Sequence, residues 1–243
     1  MNQLSDRSDD GQLTVTDRTR LRRGREKVRT TRADLDEVLA AGFVCHLGVL
    51  VDGAPMVVPT VYGVGDDVLY LHGSVASRSL VQAPDTPVCV TVTQVDGIVL
   101  ARSVFEHSIN YRSVMIYGVP RVVTDPDEKL AGLRAVTEQC APGQWDYARG
   151  PSRKESAATT LLALGLSEVS VKARTGPPDD GEGPDSMTNR WAGVIPLGTV
   201  RGNPEPDPLL SADIEMPPHI SAMTRAGECA DVLGALPVAE SEG

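Results

Sequence analysis

Aromatic side chains are scarce in this chain of 243 residues, at 4%. Each Trp and Tyr is therefore informative. The four cysteines, Cys45, Cys89, Cys140 and Cys229, form no CxxC pair. That spacing excludes a disulfide framework and a cysteine-based zinc site. Cys45 and Cys89 lie in apolar, strand-like runs and read as small core residues. No run of about 18 apolar residues occurs, so no transmembrane helix is expected. The first thirty residues are polar and lack the apolar stretch of a signal peptide, so the expected location is cytoplasmic. No Walker pattern, HExxH or GxSxG is present, and no Gly-rich turn opens a strand-helix alternation. The formal charge of −10 argues against nucleic-acid or membrane-surface partners.

What the chain does have is strands in close succession. Thr31 is placed to cap a helix carrying Leu35, Val38 and Leu39, with Asp34 three residues on. Phe43–Val51 and Ala54–Gly63 flank Asp52-Gly53, a hairpin turn. Val68–His72 follows as a third strand. Val88–Gln94 and Ile98–Phe105 flank a second predicted turn at Asp96-Gly97. Glu106–Asn110 reads as a loop before a long strand over Tyr111–Val123, bent at Gly118-Val119-Pro120. Asp125-Pro126 opens a helix over Glu128–Cys140 with a stripe at Leu130, Leu133 and Val136. A short helix is predicted around Arg153–Leu162, then strands over Leu166–Arg174 and Arg190–Gly198, separated by a Gly/Pro/Asp-rich loop. The pattern predicts a mainly β (α+β) fold, a six- to seven-stranded antiparallel barrel with peripheral helices. Residues 1–30 read as a polar and basic arm, 31–198 as the barrel domain, and 199–243 as an acidic, Pro-rich tail that is largely disordered, with a weak helix near Ile220–Gly227. The basic run Asp17–Arg32 is either a solvated arm or one that meets a partner subunit or an anionic ligand.

The stretch DVLYLHGSVASRSL, Asp67–Leu80, gathers the most chemistry. Val68, Tyr70 and His72 share one strand face, and Leu69 and Leu71 the other. Gly73 breaks the strand, Ser74 caps the next helix, and Ser77 and Arg78 in its first turns are either a phosphate cradle or an ordinary helix start with a solvated charge. His72 is either a packed imidazole or a group that works at a ligand. Thr60 and Tyr62 share a face of Pro59-Thr60-Val61-Tyr62. Asn110, Tyr111, Arg112 and Ser113 crowd polar groups at the mouth of a strand. Trp191 is either core or a stacking surface for a planar ligand.

In order, the segments DGAPMVVPTVYG, DVLYLHGSVASRSL, VCVTVT, DGIVLARSVFEHSINYRSVMIYG, VSVKARTGP and RWAGVIPL resemble the FMN-binding split-barrel proteins. This is the pyridoxamine 5'-phosphate oxidase-like superfamily, and the likeness is nearest to its nitroimidazole-resistance (NimA-like) group. The resemblance spans about Thr30–Leu197. It implies a split barrel, a homodimer with FMN at the interface, and reduction of a small molecule such as a nitroaromatic or quinone-like acceptor. By position, Pro59, Thr60, Val61 and Tyr62 line the flavin ring, and His72 stands at it as the catalytic residue. Ser77 and Arg78 meet the phosphate. Asn110, Tyr111, Arg112 and Ser113 approach from the second subunit, and Trp191 stacks. No metal site is expected. Related split barrels carry deazaflavin F420 or haem instead. The alternative function is a flavin- or haem-binding protein without catalysis, or an F420-dependent reductase.

Overall fold

The computed structural model describes residues 11–20, 24–84, 86–180 and 182–225. The strands and helices run in the order β1 (Val28–Arg29), α1 (Arg32–Ala40), β2 (Val44–Val51), β3 (Ala54–Val64), β4 (Val68–Ser74), α2 (Arg78–Gln82), β5 (Val88–Leu100), β6 (Ser108–Gly118), β7 (Arg121–Val122), α3 (Pro126–Cys140), α4 (Gln144–Tyr147), α5 (Arg153–Ala157), β8 (Thr159–Gly165), β9 (Val169–Arg174), β10 (Gly193–Pro196) and α6 (Pro218–Arg225). Antiparallel pairing joins β1 to β9, β10 to β5, β2 to β3 and to β5, β3 to β4, β4 to β8, β6 to β9 and β7 to β8. The strand order is β1-β9-β6-β5-β2-β3-β4-β8-β7, with β10 paired to β5. This is the predicted split barrel, with ten strands among the described residues rather than six or seven.

Those residues fall into two compact units. The first comprises 11–94, 111–140 and 145–174; the second comprises 95–110, 141–144 and 175–225. In the first unit local signals set the elements. Thr31 and Asp34 form a reciprocal capping box, with Asp34 N donating to Thr31 Oγ1 at 3.1 Å and Thr31 N to Asp34 Oδ2 at 3.0 Å. Asp52 (φ 51) and Gly53 (φ 78) both adopt the left-handed conformation that a two-residue hairpin turn demands. Residues 11–20 fold back on their own chain. Leu13 N donates to Thr30 O at 2.7 Å, and the Arg18 guanidinium lies 5.5 Å from the Tyr117 ring centre.

Alternation along the strands builds two apolar layers. Tyr62, Leu69, Leu71, Leu162 and Leu164 join the main core with Leu35, Leu47, Val90 and Ile116. Their neighbours Val61, Val68, Tyr70, Leu161 and Ala163 face the other way and pack under α3, with Val123, Leu133 and Val136. α3 sits very close to the sheet. A Cβ on Gly63 would fall 2.3 Å from Val136 N, and one on Gly132 would fall 2.5 Å from the Leu161 side chain.

Several expected boundaries differ. The Asp96-Gly97 turn does not form; β5 runs straight through it, because Gly97 pairs with Pro196 and Leu197 N donates to Asp96 O at 3.0 Å. Glu106–Asn110 is not all loop, since β6 begins at Ser108. The predicted helix Arg153–Leu162 stops at Ala157, and β8 starts at Thr159. Both faces of β8 are buried, so it lacks the alternation that marks a half-exposed strand. On α3, Val136 is buried and Leu133 packs beside it as expected, but Leu130 is exposed, and Gly132 joins the buried face. The bend at Gly118–Pro120 is present: β6 pairs β9, whereas β7 pairs β8.

In the second unit, residues 97–100 of β5 pair with β10. Asp180 is buried and takes Arg102 and Ser103 backbone N–H groups and the Arg102 guanidinium (3.0 Å). This anchors the Gly/Pro/Asp-rich loop. His219 Nε2 and Gln144 Oε1 lie 2.8 Å apart. The predicted tail helix is α6, and its expected end at Gly227, like Cys229, lies outside the described residues.

Candidate functional site

Beside α3 the first unit holds a cavity of about 480 Å³, within the usual range of small-molecule sites, roughly 300–1,000 Å³. The strands supply Val61, His72 and Thr159. α3 supplies Leu133, Val136, Thr137 and Cys140. The connection from α3 to β8 supplies Trp145, Ala148, Arg149, Gly150, Pro151, Glu155 and Ser156. His72 reaches the cavity by strand parity, because it follows Tyr70 on the α3 side while Leu71 turns into the core. It pairs with Leu161 across β8.

The imidazole is the chemical oddity of the cavity. Its Nδ1 is buried and has no hydrogen-bond partner. Burial pulls its pKa below the ordinary histidine value, so the ring is neutral at pH 7 and keeps a lone pair. Burial also raises the Cys140 thiol pKa. Charge is confined to the rim. Arg149 Nη1 and Nη2 donate to Glu155 Oε2 and Oε1 at 2.9 and 2.8 Å, with side chains 71% and 51% exposed. The guanidinium, aided by the Ser152 backbone N–H, lowers the Glu155 carboxyl pKa to about 2. Glu138 Oε1 accepts from Trp145 N at 2.9 Å and sets the start of this segment. An apolar slot with one unpartnered imidazole inside and a guanidinium at its edge suits a flat, largely apolar molecule with an electron-pair acceptor.

Of the predicted site residues, the structure brings Val61 and His72 together here. Tyr62 and Thr60 do not join them. They turn to the opposite face, and Tyr62 is 0% exposed, its hydroxyl, with one hydrogen to donate, lying 2.6 Å from Leu39 O and 2.8 Å from Gly42 O. The reading of Tyr62 as a ring-lining residue is therefore corrected: it is a core residue. Pro59 is exposed opposite His46. Ser74 is not a helix cap, because β4 continues through Gly73 and Ser74 to pair with Thr160 and Thr159. α2 begins at Arg78 after Ser77, whose hydroxyl lies 3.1 Å from that of Ser79. Arg78 forms an ion pair with Asp52, which Gln82 also bonds at 2.7 Å. Tyr111, Arg112 and Ser113 lie on β6 opposite Arg174, Ala173 and Lys172, and Arg112 reaches Glu37 at 3.1 Å. In the second unit Asn110 donates to Gly176 O at 3.1 Å, and Trp191 is 69% exposed. Sequence reasoning missed Trp145 and Arg149. The signal was the rarity of tryptophan, one of two in the chain.

Among the described residues no helix is long and apolar enough to cross a membrane, and no cluster of His, Cys, Asp and Glu has metal-binding form. The chain superposes on the flavocytochrome Anf3 from Azotobacter vinelandii with a TM-score of 0.82 and 36% identity, covering 86% of this chain and 97% of that one. It superposes on the FAD and heme binding protein from Mycobacterium smegmatis with a TM-score of 0.77 and 38% identity, over 82% and 97%. A protein assigned to 5-nitroimidazole antibiotic resistance, from Bacteroides thetaiotaomicron VPI-5482, shares the fold alone: 20% identity, TM-score 0.50, over 60% and 85%. No curated protein matches. The pattern of the family described as Pyridoxamine 5'-phosphate oxidase matches residues 31–173. With that match over more than half its length, the chain belongs to the pyridoxamine 5'-phosphate oxidase family of split barrels.

Proposed function

We propose that this protein is a homodimeric flavin- and haem-carrying redox protein that reduces a small molecule. The observation that carries the haem half is a neutral His72 lining an apolar cavity, with no protein group hydrogen-bonded to its Nδ1. The two relatives above 35% identity, a flavocytochrome and an FAD and heme binding protein, support the same reading. His72 would hold the iron, as a histidine does in many haem proteins. Val61, Leu133, Val136 and Trp145 would enclose the ring and keep water from it. When bound, haem supplies one-electron chemistry. The residues therefore fit the group.

For the flavin, the outer face of β2, β3 and β5 is the fitting surface. Val44, Leu50 and Val57 stand exposed there. Gly48 opposes Val57 and Cys89, leaving bare backbone on which a planar ring can rest. A second copy of the chain would cover this face, the arrangement that the family resemblance implies. This face would hold the flavin, which when bound supplies the electron-transfer chemistry for a nitroaromatic or quinone-like acceptor. FMN follows from the resemblance and FAD from the M. smegmatis relative; chromatography of the flavin released by acid distinguishes them.

An absorption spectrum tests the reading. Purified protein supplied with haem should show a haem band beside flavin bands. His72→Ala should lose the haem band and keep the flavin bands. A variant that retains both removes His72 from the iron. A wild-type protein that takes up no haem removes the haem half of the proposal.

A further inference from the structure

The Arg149 guanidinium is used on one edge only. Its two terminal nitrogens meet Glu155 end-on, and Nη1 also donates to Gly150 O at 2.8 Å. A guanidinium has five N–H donors in a fixed plane. Three are engaged, and the side edge formed by Nε and the second Nη2 hydrogen makes no hydrogen bond within the described residues. That edge is itself a fork of the width a carboxylate takes. Glu155 cannot follow Arg149 elsewhere, because its Oε2 also accepts Ser152 N at 2.7 Å and so caps α5. Arg149 is thus held at the rim by a partner that leaves one face of it open. A second positive charge stands close to the lining: Lys129 Nζ donates to the carbonyl of Ser156, which lines the cavity. The interior below this rim is apolar apart from His72, Thr137, Ser156 and Thr159.

We infer that Arg149 binds a carboxylate of the cavity's occupant through its open side edge, so that the site selects a porphyrin with free carboxylates over the same ring with its carboxylates masked. This rests on the haem reading of the cavity. The selectivity is set at the rim, apart from the iron contact inside.

The test titrates the full-length chain, expressed without added haem, with haem and with haem dimethyl ester, following the haem absorption band. The wild type should bind the free acid at least about tenfold more tightly than the ester, the scale of a charge-assisted hydrogen bond. Arg149→Ala should bind both forms alike, and Arg149→Lys, which keeps the charge but not the fork, should retain part of the preference. Thermal melts of each variant establish that it is folded, as expected for an exposed side chain. Equal affinities in the wild type, or a preference that survives Arg149→Ala, overturn the assignment of Arg149 while the haem reading stands. Failure of both forms to bind the wild type overturns both readings.

Discussion

His72 sits where a strand's alternation delivers it, and its burial has a measurable consequence. In the unfolded chain the imidazole takes up a proton near its ordinary value of 6.5, while burial lowers that value in the folded state. Between the two the unfolded chain binds more protons, so stability of the cofactor-free protein falls as pH drops from about 6.5. The paired carboxylates Glu128 and Glu155 have folded values below 4.5, so their contributions are lost only at more acid pH. Thermal melts between pH 7 and 5 should therefore show a steeper decline for the wild type than for His72→Leu. Parallel curves would mean that His72 is not the titrating group. His72 was legible because Leu69 and Leu71 contrast with it along the strand. Tyr62 was not, because β3 is apolar on both faces and gives no cue to which one is inward. Arg149 was illegible for another reason: its segment has no periodicity, so nothing in the sequence says what it covers.

The end of α1 shows how elements are tied together. The carbonyls of Leu39 and Gly42 both lie within reach of two donor groups, the single O–H of Tyr62 on β3 and the Nε2 amide of Gln139 on α3, which has a hydrogen for each. The duplication predicts non-additive stability effects. Tyr62→Phe should cost about 1 kcal/mol in urea unfolding, because Gln139 still serves both carbonyls. Gln139→Leu should cost a similar amount. The double variant should exceed their sum by more than about 0.5 kcal/mol, since buried carbonyls are then left unpaired. Additive losses would mean that water already serves these groups. At this scale helices with caps and strands with turns were readable: α1 and the β2–β3 hairpin stand where propensity and capping put them, whereas β4 runs two residues past its predicted end. What misled was context. Asp96-Gly97 is a hairpin signal in isolation, yet pairing with β10 satisfies its backbone and keeps it extended. β8 resembles helix or strand equally until its two buried faces are known.

For the molecule as a whole, the apolar outer face of β2 and β3 is the feature that a single chain does not explain. Val57 is 66% and Leu50 52% exposed, side by side with Val44 and Pro55. The proposed homodimer would bury this surface together with the flavin. Val57→Asp would place an unpaired charge in that interface, a cost of several kcal/mol. Sedimentation should show a dimer for the wild type and a monomer with weakened flavin binding for the variant, at unchanged thermal stability of the single chain. A monomeric wild type that binds flavin tightly would sink the interface reading. The order of motifs revealed the family from the sequence, because turn glycines and strand patterns are local. The cavity did not emerge, since it forms only when α3, three strands and the α3–β8 connection are brought together from across residues 61–159.

One consequence follows from that connection. Half of the cavity wall comes from a single run, Trp145–Ser156, which contributes no rung to the β-ladders. Binding residues carried on a loop above a rigid scaffold tolerate change far better than the scaffold does. Over descent, the barrel and its register can stay fixed while this run is lengthened, shortened or replaced. A lineage could thereby exchange the cargo of the cavity without having to reinvent the fold.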